Sequence, residues 1–447
     1  MAVASSGQDD KIQTLQKLVH ELREDVSELK NQKNETWLNQ KRAEEIRSLV
    51  LDVLEDADSR ASMAGDGILA GYDGGAYLMS LDENWKLKIN GVVQARWLYN
   101  NADLQTSQRG FELRRSKVIF SGNIFDPSWT YKLTTTWGRA GGSNTEAAWI
   151  AKTLDNGQWI KVGQFKAWFL RENIISSAKQ LAANSSMVQH AFAYGWVQGV
   201  STGWNDDDLN IFFQYIDGPW SANTAALSPT TDAWIARAEF KFGEASWSDF
   251  GYLTSKIGAK NGLLIGVGYE NYNTDNTIDG NLQTSPGIEY GNAIADKSSG
   301  WTIDVSWRGD GWNLFGYVVE TTGKNTATNA SQDSSGWLIQ GGVMVNNNYE
   351  LFAQYQHGEI NDAAFASGSN EMSAVRLGIN YWPVAGSNNL KWTTDVAWSN
   401  DSLADGGVTG IASADWTDQF RTGSGWRPDL LNNDGQMLVR TQLQLLF

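Results

Sequence analysis

The chain has 447 residues, a formal net charge of −16 and no cysteine. The missing thiols exclude disulfides and thiolate metal sites, and the negative charge disfavours nucleic acid and other anionic partners. The mean hydropathy of −0.40 by itself indicates a soluble protein, and no apolar run reaches the roughly 18 residues of a transmembrane helix. However, 22 tryptophans and 45 glycines occur with only 6 prolines, which favours an all-β chain with an aromatic surface.

The first segment, 9–58, has a helical repeat. An apolar residue recurs at alternating steps of three and four, at Ile12, Leu15, Val19, Leu22, Val26 and Leu29. This spacing is the heptad seam of a coiled coil, and a seam so narrow needs partner chains. β-branched residues at the first heptad position favour two chains, whereas a barrel downstream could impose three. The alternative is a solvated amphipathic helix that packs on its own domain.

Composition divides the chain into three parts. Residues 1–60 are predicted to form the helical coiled coil, residues 61–84 a flexible glycine-rich linker, and residues 85–447 a β domain. Alternating segments in the β domain predict sixteen strands, at 85–99, 110–121, 129–137, 146–154, 159–168, 197–204, 209–216, 232–242, 262–270, 300–308, 312–320, 337–345, 349–357, 371–381, 390–398 and 436–447.

The connections between these strands alternate in length. Those after even-numbered strands are a few residues long, and those after odd-numbered strands are longer; the connection 243–261 is long where a short one is expected. An even strand count with short turns at one end and long loops at the other is typical of an outer-membrane barrel. The predicted fold is therefore a 16-stranded antiparallel transmembrane β-barrel, preceded by an N-terminal α-helical coiled coil.

Aromatic residues indicate which strand face meets lipid. Strands that rise from the short-turn end begin on an aromatic residue of the apolar face, at Trp85, Trp129, Trp159, Trp312, Tyr349 and Trp392. A ring of aromatics at one height is the girdle that bridges hydrocarbon and headgroups. The last strand ends at the same rim, which would place Phe447 in this girdle, facing lipid. A terminal aromatic after an alternating strand also resembles the recognition signal of bacterial barrel-assembly machinery.

The opposite faces of the strands are predicted to line a basic lumen. Assigned strand by strand, the basic residues inside are Lys86, Lys88, Arg96, Lys132, Lys152, Lys161, Arg237, Lys241, Arg308, Arg376, Lys391 and Arg440. The acidic residues inside are Glu239, Glu270, Asp304, Glu350 and Asp395. Rings of Lys and Arg suit an anion pore because each fixed cation offsets part of an anion's lost hydration. Alternatively, the lumen charges only keep the channel of a general porin hydrated and confer no selectivity.

Residues 174–196, between the fifth and sixth strands, lack alternation. A loop inserted at this point would narrow a sixteen-stranded pore, which is otherwise wide enough for an aqueous channel. Lys166, Arg171 and Lys179 would then meet the permeating solute. The alternative is an external loop whose charges are solvated.

Three stretches of the β domain resemble the phosphate-selective porin family of the O/P type: "GFELRRSKVIFSGNIFDPSWTYKL" (110–133), "KVGQFKAWFLRENIISSAKQL" (161–181) and "GWVQGV" (195–200). Arg114 and Arg115 match a paired arginine of that family, and Lys166 matches the lysine of its "GQFK" motif. The resemblance implies a trimeric sixteen-stranded porin whose basic lumen residues guide anions. Trp168 departs from the family, which usually has proline there, and the segment 9–58 resembles coiled-coil arms that some porins use to reach the cell wall.

Catalysis and metal binding have little support in the sequence. The three histidines, His20, His190 and His357, are scattered and form no ligand motif. The stretch "YNTDNTIDGN" (272–281) lacks the acidic residue that a calcium loop needs at its twelfth position, where Pro286 stands. We therefore expect no enzymatic activity, cofactor or metal.

The expected protein is an outer-membrane porin with its N-terminal arm in the periplasm. It would pass small hydrophilic solutes by passive diffusion, with a preference for anions such as phosphate. The expected partners are two further copies in a homotrimer, outer-membrane lipid or lipopolysaccharide, and peptidoglycan or another cell-wall polymer bound by the arm. The alternatives are a non-selective porin and a mainly structural envelope tether.

Overall fold

The computed structural model describes residues 13–24, 67–102, 106–138, 141–223, 230–274, 297–325, 330–361, 371–401, 425–426 and 435–447. These residues belong to two compact units, Met1–Gly67 and Ile68–Phe447. In the first unit, residues 13–24 form a helix, α1, on which Leu15, Val19 and Leu22 lie exposed along one stripe. The rest of the predicted coiled coil lies outside the described residues. Within the described ranges, no helix is both long enough and apolar enough to cross a membrane.

A β-hairpin opens the second unit. It consists of β1 (Ile68–Tyr72) and β2 (Ala76–Ser80), and β2 pairs with the first residues of the next strand. This hairpin lies within the segment 61–84, for which the sequence predicted a flexible linker. The difference arises because Gly74, with φ of +55°, closes a tight turn between two pairing segments.

Sixteen further strands follow, each paired antiparallel with the next: β3 (Lys86–Ala102), β4 (Gln108–Ile124), β5 (Asp126–Trp137), β6 (Ser143–Thr153), β7 (Gln158–Lys166), β8 (Trp196–Asn205), β9 (Leu209–Ile216), β10 (Thr230–Gly243), β11 (Gly262–Thr274), β12 (Lys297–Gly309), β13 (Trp312–Asn325), β14 (Ala330–Met344), β15 (Tyr349–Asn361), β16 (Glu371–Tyr381), β17 (Leu390–Ser399) and β18 (Gln436–Leu446). β18 also pairs with β3, which closes the sheet. The predicted sixteen-stranded antiparallel barrel is confirmed. Several strands run further than predicted.

The barrel is polar inside and apolar outside. On β12, Ile303 and Trp307 are 42% and 50% exposed, whereas Asp304 and Arg308 between and beside them are buried. The alternation continues around the wall, where large apolar side chains of one face stay exposed on nearly every strand. Contiguous exposed apolar surface of this extent is rare on soluble proteins, and it matches the lipid-facing band of a membrane barrel.

Two side chains lie on the opposite face from the one predicted. Trp159 shares the inward face of β7 with Lys161, because Ile160 and Val162 occupy the outward face. Lys152 points outward, since it pairs across β5 with the outward-facing Trp129 and its Nζ lies 5.1 Å from that ring centroid. Both corrections follow from the strict two-residue period of a strand.

Phe447 extends the pairing of β18 with β3 that closes the barrel. Its carbonyl accepts a hydrogen bond from the Gly91 N–H at 2.6 Å, and its N–H donates to the Gly91 carbonyl at 3.2 Å. A Cβ on Gly91 would lie 2.2 Å from the Phe447 ring, so the glycine gives the ring its place on the outward face.

After β7 the chain folds into the barrel. Residues 167–195 form this inward segment and carry two short helices, α2 (Arg171–Ile174) and α3 (Met187–Phe192). The Ala167 N–H donates to the Gly195 carbonyl at 3.0 Å, so the segment leaves and rejoins the wall at neighbouring positions. Its buried apolar side chains form one cluster with inward side chains of the wall. The predicted inserted loop therefore lies within the barrel.

A second connection also packs inward. Residues 244–261 join β10 to β11 at the end where the other connections are short, and they bury Phe250 and Leu253. Arg308 on β12 donates to the Thr254 carbonyl at 3.0 Å. The Leu253 N–H donates to the Lys179 carbonyl of the inward segment at 3.0 Å. This packing accounts for a connection whose length the strand pattern left unexplained.

Candidate functional site

An open cavity of about 420 Å³ lies between the inward segment and the wall made by β4–β8. It is lined by four basic side chains, Arg114, Arg115, Lys117 and Lys166, and by two acidic ones, Glu146 and Glu172. We call it the basic cavity. The inward segment is hydrogen-bonded to the other side of the barrel, as when the Met187 N–H donates to Gln356 Oε1 on β15 at 2.6 Å. The open space therefore lies along one side of the lumen.

A β-bulge directs two consecutive arginines into the basic cavity. Arg115 pairs with Gln94 and Leu113 with Ala95, which leaves Arg114 as the extra residue of β4. A bulge re-aims side chains, so the alternation that would separate Arg114 from Arg115 is broken here. Arg115 Nη1 donates to Gln94 Oε1 at 2.9 Å, and both arginines line the cavity.

A second bulge places a carboxylate opposite these cations. On β6, Thr145 pairs with Thr135 and Ala147 with Thr134, so Glu146 is the extra residue. Its Oε2 lies 2.6 Å from Nζ of Lys117 on β4. The two arginines line the same cavity as this pair.

Lys166, the last residue of β7, fastens the start of the inward segment. Its Nζ donates to the carbonyl of Asn173 at 2.6 Å and to that of Ile175 at 3.1 Å. The same ammonium lies 5.5 Å from the Trp196 ring centroid. Lys166 therefore shapes the cavity by holding the chain that lines it.

His190 of α3 lines the basic cavity without adding charge. Its Nε2 lies 3.1 Å from Asn184 Nδ2 and 3.3 Å from Ser185 Oγ. Burial lowers the pKa of His190 to about 3, and the nearby guanidinium groups of Arg114 and Arg115 contribute in the same direction. The imidazole is therefore neutral at physiological pH.

Arginines of the remaining wall are held by protein partners. Four of the predicted pore-lining arginines form ion pairs, namely Arg96 with Glu112, Arg171 with Glu239, Arg237 with Glu239 and Asp304, and Arg440 with Asp395. Two others, Arg308 and Arg376, donate to backbone carbonyls of the inward connections. All six are buried. Since burying a guanidinium without partners is costly, removing one of these partners would leave an uncompensated buried charge.

Lysines on β3–β7 lie on the less filled side. Inward positions of β3, β4, β5 and β6 form one row in which Lys88 pairs with Ser121, Ser121 with Lys132, and Lys132 with Trp149. Lys86 and Lys161 both lie in the neighbouring row, and the Lys86 Nζ is 5.0 Å from the Tyr77 ring centroid. Lys241 lies at the end of the barrel with the short connections, and its Nζ is 3.1 Å from Asp208 Oδ1.

Sequence reasoning missed several members of the site. Lys117 lies two residues beyond Arg115 on the same face, so alternation along β4 could have identified it. Glu146 was missed because it is the extra residue of a bulge, which shifts the period of β6. Within the described ranges, no group of three or more acidic or histidine side chains converges as a metal site requires.

The comparisons with known proteins identify the architecture. No protein-family model matches the chain, and no curated protein sequence matches it. Solved structures do match: the anion-selective porin from Comamonas acidovorans superposes with a TM-score of 0.53 at 13% identity, over 81% of this chain and 99% of that one. The fold is that of a porin.

Two other structures share this porin fold. OmpF of Salmonella typhi, in complex with daunomycin, has a TM-score of 0.54 at 14% identity, over 84% of this chain and all of that one. The outer membrane channel DcaP of Acinetobacter baumannii has a TM-score of 0.51 at 12% identity, over 84% of this chain and all of that one. Identities this low establish the fold alone, so membership of the phosphate-selective family stays a prediction.

Proposed function

We propose that the protein is an outer-membrane porin that passes small hydrophilic solutes by diffusion and prefers anions such as phosphate. The observation that carries this proposal is the basic cavity, an open space along one wall of an apolar-faced barrel with Arg114, Arg115 and Lys117 on its surface. Fixed cations beside a narrow aqueous path lower the free energy of a passing anion and raise that of a cation.

The division of the lumen into two sides supports the selectivity. The inward-facing arginines of β10–β18 are ion-paired or bonded to the inward connections, so they add little field to the open path. On β3–β7, Lys132 and Lys161 face the lumen, and among the described residues neither forms an ion pair with an acidic side chain. The residues proposed to bind solute are Lys86, Lys88, Arg114, Arg115, Lys132, Lys161 and Lys166. Of these, Lys88 also forms an ion pair, with its Nζ 3.6 Å from Asp73 Oδ2.

The assembly is a homotrimer, as the resemblance to phosphate-selective porins implies. Its N-terminal arm lies in the periplasm, as the resemblance of residues 9–58 to the coiled-coil arms of some other porins implies. Support for association comes from α1, where Leu15 and Leu22 are 63% and 60% exposed in a single chain. A heptad stripe of this kind is covered when copies of the helix associate. The arm would bind peptidoglycan or another cell-wall polymer, and the outer face of the barrel would contact lipid or lipopolysaccharide.

Ion permeation through the purified full chain tests this function. In planar bilayers, the wild type should give stepwise conductance with chloride more permeant than potassium. Replacing both cavity arginines, Arg114→Gln with Arg115→Gln, should lower the chloride-to-potassium permeability ratio several-fold, because the field of two fixed cations is lost. The matched control is Lys324→Gln, an exposed cation of β13 outside the cavity lining. A sealed lumen would favour the structural tether instead, and an unchanged ratio in the double variant would contradict the role of the arginines.

A further inference from the structure

Three tryptophans surround one lysine on the inner wall of the barrel. The Lys161 Nζ lies 4.9 Å from the Trp149 ring centroid and 4.8 Å from those of Trp159 and Trp168. We call these four residues the tryptophan–lysine cluster. All four side chains face inward, yet none is fully buried.

The fold places the cluster by register. Trp159 and Lys161 are two residues apart on the inward face of β7, and Trp149 lies on β6 opposite Gly163. Trp168 lies at the start of the inward segment, and its backbone N–H donates to Gln214 Oε1 on β9 at 2.8 Å. The cluster therefore joins two strands and the inward segment.

Packing fixes the rings. Trp168 meets Phe212 edge to face, with centroids 4.3 Å apart, and Trp159 meets Trp168 at 5.4 Å. A Cβ on Gly203 would lie 2.6 Å from the Trp159 ring, so a glycine is needed on β8 beside it. Rings held in this way lose little conformational entropy when a ligand packs on them.

The ammonium at the centre has capacity for a ligand. In the part of the chain that the structure describes, Lys161 forms no ion pair and donates no hydrogen bond, so no protein oxygen or nitrogen accepts from its three N–H donors. Lys132, on the next strand but one, adds a second inward cation beside Trp149. The local chemistry is that of a cationic group framed by flat apolar surfaces.

We infer that the tryptophan–lysine cluster is a binding subsite for aromatic carboxylates, such as benzoate. The carboxylate pairs with the Lys161 ammonium, and the ring of the ligand packs against a half-buried indole of the cluster. This inference rests on the proposed function, because the ligand reaches the cluster through the lumen.

Other ligand classes use only part of the cluster. A small inorganic anion engages the charge but not the rings, and a neutral sugar engages the rings but not the charge. An organic cation is disfavoured because Lys161 already occupies the ring faces. The cluster also gives a role to Trp168, which stands where the resembled porin family usually has proline.

Competition by two carboxylates tests the subsite. Benzoate or acetate is added to a bilayer holding the full-length channel in potassium chloride, and the chloride current is measured. Benzoate should halve the current at about one-tenth of the acetate concentration, since one added ring contact changes affinity by about tenfold. Trp168→Leu and Lys161→Gln should each remove most of this preference.

The control variant is Trp307→Leu, which removes an outward-facing indole and should keep the benzoate preference. Equal block by benzoate and acetate, with anion-selective current intact, would overturn the subsite while the proposed function stands. So would a Trp168→Leu channel that prefers benzoate as strongly as the wild type does. Block by maltose that survives Lys161→Gln would assign the rings to sugars and contradict the inference.

A binding measurement separates the subsite from conduction. If the wild type passes no ions, the proposed function fails, and equilibrium dialysis of the detergent-solubilised full chain against benzoate and acetate decides the subsite. Preferential binding of benzoate that Trp168→Leu abolishes would support the inference, and equal binding of both would contradict it. Heat-modifiable mobility on gels checks that each variant is folded.

Discussion

At the scale of single residues, the inward or outward direction of a side chain follows from counting by two along a strand. The count predicts Lys86, Lys88 and Arg96 on one inward face, and the structure places them so. Trp159 and Lys161 could not lie on opposite faces, being two residues apart, yet the aromatic-girdle pattern favoured lipid for the tryptophan. Its inward direction shows that the period of the strand outweighs residue type.

Counting by two along a strand cannot predict where a β-bulge occurs. The inward placement of both Arg114 and Arg115 depends on one extra residue in β4, and the sequence "ELRRSK" contains no glycine or proline that marks it. The family resemblance identified the two arginines as candidates. That both line the same cavity depends on how β4 pairs with β3.

Gly91 and Phe447 give a prediction about the seam. Gly91→Ala should destabilise the barrel by about 1–3 kcal/mol, because the new methyl group overlaps the Phe447 ring. The temperature at which the folded band disappears on gels measures the effect. Gly110→Ala, on the adjacent strand β4, is the matched control, since nothing lies within 4 Å of its added Cβ. An equal fall of this temperature in both variants would show that the contact between residue 91 and the Phe447 ring does not affect stability.

His190 gives a prediction about pH. Because its pKa lies at about 3 in the folded protein, the imidazole stays neutral as pH falls from 8 to 5. The lowered pKa also means that protonation is favoured only in the unfolded chain between pH 3 and the ordinary histidine range near pH 6.5. Any change of conductance near pH 6.5 should therefore come from groups other than His190, and His190→Gln should leave the pH profile unchanged.

The pH profile has a clear contradictory outcome. A conductance step near pH 6.5 that His190→Gln abolishes would mean that the imidazole titrates within the pore. His357→Gln is the control, because that ring lies on β15 beside the outward-facing Trp337.

At the scale of elements, all sixteen barrel strands could be predicted from alternation and connection length. The inward course of residues 167–195 was also predicted, from a gap in the alternation. The hairpin of β1 and β2 and the packing of residues 244–261 were not predicted. The hairpin depends on a turn at Gly74 inside a segment whose glycines indicated a flexible linker. Residues 244–261 depend on contacts with distant strands, as when Thr254 Oγ1 donates to Glu350 on β15 at 3.0 Å, and no local pattern encodes such contacts.

The inward segment gives a prediction at this scale. Lys166 and Trp196 are cross-strand partners, so a short turn can replace the residues between them. The truncated channel should conduct several-fold more than the wild type, because a sixteen-stranded barrel without an inserted segment holds a wide aqueous channel. Single-channel recording measures the change. Unchanged conductance would mean that the segment does not form the constriction.

At the scale of the whole molecule, the charge is divided between regions. The chain carries −16 in total, while the open side of the lumen is basic. An acidic protein can therefore enclose a path for anions, because the local field along the path outweighs the distant surface charge in screening salt.

The N-terminal arm gives a prediction about assembly. Removing residues 1–60 should weaken the trimer, since the exposed apolar stripe of α1 would no longer be shared between chains. Crosslinking or native mass spectrometry of the full and shortened chains measures the effect, and sedimentation with purified cell wall measures attachment. Unchanged trimers and unchanged attachment would remove both proposed roles of the arm.

The reversal potential of the wild-type channel in a potassium chloride gradient tests the central claim most directly. The barrel should conduct, and the potential should have the sign of a chloride-selective pore, because the open side of the lumen carries fixed cations. A potential of the opposite sign, showing preference for potassium, would contradict the account.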